Sequence, residues 1–351
     1  MNVPSAIAMI RTTCPDPVER SAAYAAYALA GTVGNVSGFV IGGVLTARTS
    51  WRWIHFLIAI MVIPAAGAAW FLLPTHMMPA KSQRRGIDIP GVVLLTSGLI
   101  LFVYAISDGA EAGWGSPQVV TTLVLSVIVV ASFFVTEKFT KNPALPSKTW
   151  TNKNFTPLFF YAWSPYWWCL SSQLQLVNVF MNLWHDSPLI AAVRCIPIGV
   201  AGGIASFLAG RYAPRLNPKH MLVCSQALMA LGSVLFALAG GEKAEARYWS
   251  YIFPGMVIGM FGLAGAYVGC TTMVMGGARE GEEGVVGAVM YTAYQVGATL
   301  GFAIVTSITE GVNTGRQADS ASLFAGYAAS FWSMVAMPVV MLFIALLFVR
   351  P

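Results

Sequence analysis

The chain has 351 residues, 57% hydrophobic and only 10% charged, with a net charge of +6 and a mean hydropathy of +0.68. A soluble domain carries about 25% charged residues, so this composition excludes a water-soluble globule and makes lipid the natural solvent. The basic excess sits in short loops between apolar runs, not on one polar domain. That argues against nucleic acid as a partner and fits charges that orient membrane spans.

Met1–Ile10 is a short apolar stretch without the basic flank and cleavage site of a signal peptide. Ten longer runs follow, each near the roughly 20 residues a helix needs to cross hydrocarbon. The first, Ala22–Leu45, places Gly34, Gly38 and Gly42 on one face beside Gly43, a surface on which a neighbouring backbone could pack closely. Trp53–Leu73, Ile89–Ser107 and Val119–Thr136 come next. The polar connector Glu137–Asn154, rich in Lys, Pro and Asn, then divides four spans from six.

Phe155–Met181 carries Ser164, Trp168, Ser171, Gln175, Asn178 and Asn182 at spacings of three and four, which puts all six on one helix face. Amides and hydroxyls are costly against acyl chains, so this stripe should face a water-filled passage, as a substrate-lining wall, or a neighbouring helix, as interhelical hydrogen bonds. The nearby Trp163, Tyr166 and Trp167 suit interfacial anchors, the preferred reading, or a surface that holds a cation or a planar drug. Pro188–Ala209 contains Arg194, an intramembrane charge about 9 Å from the span end at 1.5 Å per residue. Such a charge suggests substrate contact or gating, although snorkelling is also within its reach. His220–Gly240 and Ser250–Met275 follow, the latter with a ladder of Gly255, Gly259, Gly262, Gly265 and Gly269 suited to close helix packing. Val285–Thr309 brings Tyr291, Tyr294 and Gln295 into the membrane; Tyr291 and Gln295 join the Phe155–Met181 stripe and Arg194 as substrate-binding candidates, with core packing the other reading for the two tyrosines. Ala325–Val349 is last.

With Arg11–Ser21 on the cytoplasmic side, fourteen basic residues fall in cytoplasmic segments. Five (Arg48, Arg52, Lys243, Arg247 and Arg316) fall opposite, the bias expected of a multi-pass protein. Every Asp and Glu lies in a loop or near a helix end, and the four histidines also sit near span ends. The spans therefore offer no obvious mid-membrane proton carrier. The five cysteines are scattered, with no Cys-x-x-Cys, and read as small packing residues. No phosphate-binding loop ending in Gly-Lys-Ser or Gly-Lys-Thr occurs. No catalytic constellation, cofactor or metal site is expected.

The segment Gly34-Asn35-Val36-Ser37-Gly38-Phe39-Val40-Ile41-Gly42-Gly43, followed by Ser50-Trp51-Arg52-Trp53, resembles the glycine-rich fifth helix and outer loop of major facilitator superfamily antiporters. The nearest type is the fungal fourteen-span drug:proton antiporters. Phe39 stands where that family has a proline. Ser187-Pro188-Leu189 through Ile196-Pro197, Gly210–Arg215, Gln295–Gly301 and Asp88 before Gly91 agree in order with the same pattern. The Gln- and Asn-bearing helix followed by Ser-Pro-Leu is most similar to the branch handling aminotriazole, boron or ammonium.

The resemblance implies an all-α, polytopic helix bundle of about ten transmembrane helices, corresponding to spans five to fourteen. Residues 1–73 would be a remnant of the N-terminal half and 74–136 two extra central spans. Residues 137–154 would be a cytoplasmic linker and 155–351 the six-span C-terminal half. It also implies transport of a small molecule by alternating access, with protons as coupling partner and a plasma or vacuolar membrane as location. The readings left open are a low-affinity ammonium or borate transporter, and a non-transporting membrane sensor or inactive truncated fragment.

Overall fold

The computed structural model describes residues 10, 17–72, 88–140, 149–150, 152, 154–240, 245–278, 283–314 and 320–349. The stub at Met1 and most of the polar connector after Glu137 lie outside them. Among the described residues all regular structure is helical. The helices are α1 (Pro17–Arg48), α2 (Arg52–Leu72), α3 (Ile89–Ala112), α4 (Pro117–Phe139), α5 (Phe155–Tyr161), α6 (Trp163–Asn178), α7 (Pro188–Tyr212), α8 (Pro218–Leu238), α9 (Phe253–Gly276), α10 (Glu283–Asn313) and α11 (Ser320–Phe348). Eight of them are long and apolar enough to cross a membrane on their own. The other two predicted spans are α1, whose apolar run is diluted by Gly, Ser and Thr, and α5–α6, which is interrupted.

Helix starts follow a simple local code. Asp88, Ser116, Ser187 and Asn217 each accept a hydrogen bond from a first-turn backbone N–H, at 3.0 to 3.4 Å, and each has a proline at one of the next two positions. The side chain satisfies a donor that the helix leaves open, and the proline occupies a place where no N–H is needed.

The predicted single span Phe155–Met181 is two helices and a wider turn. Pro165 has no N–H to offer the carbonyl of Tyr161, and the helix breaks at Ala162. After Asn178 the chain widens into a π-turn, Val179–Leu183, closed by Trp184 N–H to Val179 O at 2.9 Å. Asp186 N–H reaches Phe180 O at 2.9 Å across His185, which takes a left-handed φ of 53° and so stops the helix. A second π-turn, Tyr248–Ile252, leads into α9.

The last six spans, α5–α6 through α11, form one bundle around Phe155, Tyr161, Trp168, Phe180, Phe236 and Phe331. The glycine ladder of α9 lies against α8. A side-chain carbon on Gly262 would stand 2.6 Å from Ser225 O, and one on Gly232 of α8 would stand 2.8 Å from Gly255 O. The two backbones touch, as the spacing predicted. α10 packs on α6 in the same manner, with Gly297 against the Trp163 backbone and Gly301 against Trp167. α3 and α4 pair with each other and meet the bundle through α10, while α1 packs along α7 and holds α2. No residue of the most apolar stretch of α2 is buried, against 56% in α9.

Candidate functional site

The inner part of the polar stripe is engaged between helices. Ser164 Oγ donates to Gln226 Oε1 on α8 at 2.8 Å, and Trp168 Nε1 donates to Ser233 Oγ on α8 at 2.8 Å. Gln175 Nε2 donates to Thr309 Oγ1 on α10 at 3.0 Å. Ser171 faces Gly301 of α10. All four are buried, with the Trp168 indole stacked on Phe236 and pressed against Gly259. Farther along the same face, Asn178 is half-buried and Asn182 is exposed. The stripe is thus continuous in sequence and divided in space: Ser164, Trp168 and Gln175 hydrogen-bond to neighbouring helices, Ser171 is buried against α10, and the last two members are progressively more exposed.

The neighbouring face of α6 meets an aromatic cluster. Tyr166 lies 6.2 Å from Tyr267 on α9, centroid to centroid, with the rings almost parallel at 8°. It lies 5.2 Å from Tyr294 and 6.3 Å from Tyr291 on α10, and Tyr267 and Tyr294 are 5.0 Å apart. Tyr294 is buried, and its hydroxyl shares a 3.2 Å hydrogen bond with Thr271 of α9. The other three rings are half-exposed, and Gln295, exposed, donates to the Tyr291 hydroxyl at 3.3 Å. Counting 1.5 Å per residue, the tyrosines of α9 and α10 lie about 12–17 Å along the axis from the nearer helix end. Four phenol rings from three helices therefore gather well inside the bundle, each offering a π-face and a hydroxyl. Tyr291 and Gln295 belong to the predicted set. Tyr166 was read as an anchor and Tyr267 was missed. The available signal for Tyr267 was a lone polar tip in the middle of a glycine-rich apolar run.

Arg194 sits apart from this cluster. Its Nε lies 3.0 Å from Asp186 Oδ2, in the turn before α7. Its guanidinium carbon is 5.1 Å from the Tyr248 ring centroid, 5.2 Å from Trp184 and 5.9 Å from Phe180. Tyr248 also donates to the Arg194 carbonyl at 2.9 Å. Both π-turns thus meet at one guanidinium, which joins the ends of α6, α7 and α9 by charge and by cation–π contact.

The α1 glycines divide as well. A side-chain carbon on Gly43 would stand 2.7 Å from Ala192 Cβ and 3.1 Å from Pro188 O of α7. At Gly34, Gly38 and Gly42 it would meet nothing within 4 Å among the described residues. The close approach predicted on the Gly34–Gly38–Gly42 face is made at Gly43, because α7 packs along the adjacent side of α1.

Long apolar helices in a bundle cemented by glycine contacts and buried amides define an integral, multi-pass α-helical membrane protein. The sequence profile described as Major Facilitator Superfamily matches residues 1–302. The chain belongs to that family. It is 29% identical to a major facilitator superfamily multidrug transporter of Aspergillus fumigatus, over 95% of this chain and 63% of the relative. It is 28% identical to a puromycin resistance protein of Streptomyces alboniger, over 90% and 62%. It is 27% identical to a lincomycin resistance protein of Streptomyces lincolnensis, over 88% and 62%. The chain thus spans a little over three fifths of the length of these curated relatives.

Proposed function

We propose that this chain forms the greater part of a transporter that moves small organic molecules, drugs among them, by alternating access, and that Tyr166, Tyr267, Tyr291 and Tyr294 contact the cargo. The observation that carries the reading is the convergence of four rings from α6, α9 and α10. Gln295, Asn178 and Asn182 supply the polar groups nearest the open side. Ser164, Trp168, Ser171 and Gln175 support that wall from behind.

The division into residues 1–73, 74–136, 137–154 and 155–351 is part of the proposal, with 155–351 as the half that holds the tyrosines. The names of the relatives favour multidrug or antibiotic efflux. An aromatic cluster suits an organic cation or a planar ring better than borate or ammonium, because π-faces attract weakly hydrated, extended cations. Proton coupling fits the resemblance, with the carrier supplied from outside the mid-span segments, where this chain has no acid.

The test is flux of ethidium through proteoliposomes holding the purified chain, under an imposed pH gradient. Tyr166→Ala and Tyr267→Ala should each lower flux about tenfold, the effect of losing about 1.4 kcal/mol of contact. Flux of ammonium or borate without ethidium would favour the narrower branch. Absence of any flux from a folded chain would favour the sensor or inactive-fragment reading.

A further inference from the structure

A ligand-sized space lies farther along α10 than the tyrosines, beginning one turn after Gln295, and does not depend on the transport reading. Between α3 and α10 runs a cleft of about 320 Å³, at the lower end of the range for small-molecule sites. From α10 it is lined by residues three and four apart, starting at Thr299 and ending at Glu310. This is one continuous helix face. Eleven residues at 1.5 Å each make it about 16 Å long, close to half of a roughly 30 Å hydrocarbon layer.

The two ends differ in chemistry. Glu310 is exposed and lies one turn before the end of α10 at Asn313, a position near the membrane surface. Thr306 of α10 and Ser107 of α3 line the cleft beside it. Toward mid-membrane the walls are Phe302, Ala303 and Val103. Among the described residues no basic side chain lines the cleft. Trp114, in the turn between α3 and α4, donates from Nε1 to Ser307 Oγ at 3.2 Å and so ties the α3 end to α10 and holds the cleft's width.

We propose that this cleft binds an amphiphile with a protonated amine head and one extended apolar chain, taken from the adjacent leaflet. The amine donates to the Glu310 carboxylate and to the hydroxyl oxygens of Thr306 and Ser107. The chain lies along Val103, Ala303 and Phe302. An anion would be repelled by Glu310. A neutral amphiphile would forgo the attraction between a cationic head and the carboxylate.

The probe is a photoreactive long-chain alkylamine, added to the chain in phosphatidylcholine nanodiscs, with labelled peptides mapped by mass spectrometry. The comparison is the alcohol of the same chain length. The amine should label α3 and α10 about tenfold more than the alcohol. Glu310→Gln should bring amine labelling down to the alcohol's level, and Ala303→Trp should block both. Labelling of α3, which does not touch the tyrosine cluster, should persist in Tyr166→Ala, which separates the two sites. Equal labelling by amine and alcohol on the unaltered chain would overturn the proposal, whatever the variants do. Amine labelling concentrated on α6 and α9, or unaffected by Glu310→Gln, would overturn it as well.

Discussion

A side-chain carbon added to Gly259 of α9 would fall on the Trp168 indole, whereas one added to Gly34, Gly38 or Gly42 of α1 would meet nothing within 4 Å. Both helices carry glycine at turn-by-turn spacing, and both are candidates for close packing on that ground. The difference lies in what stands opposite. α9 is clasped by α8 and α6, so its rungs are filled by Ser225, Met229, Phe236 and Trp168. α1 meets α7 at Gly43 and turns its other glycines to open space among the described residues. Glycine spacing states what a surface can accept. Occupancy depends on the topology of the remaining helices.

The contrast can be broken from the bundle side first. Gly259→Leu should give the largest effect, because the added atoms cannot be placed without moving the indole or separating α6 from α9. Overpacking of a tight core costs about 1–3 kcal/mol and at times more, and loss of the monodisperse detergent-solubilised species is the expected readout. Arg194→Met should follow. It leaves Asp186 beside three rings without its cation, and the pair is largely shielded, with side-chain exposures of 13% and 2%. Removing one partner of a buried pair costs about 3–5 kcal/mol; the remaining exposure of Arg194 places this loss near the lower figure. It would be read as a fall in thermal midpoint.

Gln175→Leu should be milder, about 1 kcal/mol, for a single neutral hydrogen bond to Thr309, measured by the same melt. Smallest, and opposite in sign, is Gly38→Ala. A helical glycine is worse than alanine by about 0.5–1 kcal/mol, so the variant should melt at the same or a slightly higher temperature. A clear loss of stability there would mean that a further surface covers the α1 face.

Much of this architecture was legible from residue order. Apolar run length located the long helices, eight of which are long and apolar enough to cross a membrane, and the α9 ladder declared its packing role. Three features were not legible, for physical reasons. The break at Ala162 needs the missing Pro165 N–H to matter more than a continuous apolar run. The π-turns at Val179–Leu183 and Tyr248–Ile252 depend on one extra residue per turn, which leaves no mark on composition. The split of the Ser164–Asn182 stripe depends on where α8 and α10 end against α6, and periodicity along one helix says nothing about the length of its neighbours. The same limit hid Tyr267, whose meaning comes from Tyr166 and Tyr294 on other helices.

The account rests on a division between a packed polar face and a hydrated tyrosine-rich one. Single cysteines placed at Asn178, Gln295, Ser171 and Gln175, in a background with the five native cysteines replaced, report it directly through their reaction with a charged, membrane-impermeant maleimide in open membrane sheets. The account predicts rapid labelling at positions 178 and 295 and protection at 171 and 175. Protection at 295 with rapid labelling at 171 and 175 would contradict it, and would place the water-filled passage along the face assigned here to helix packing.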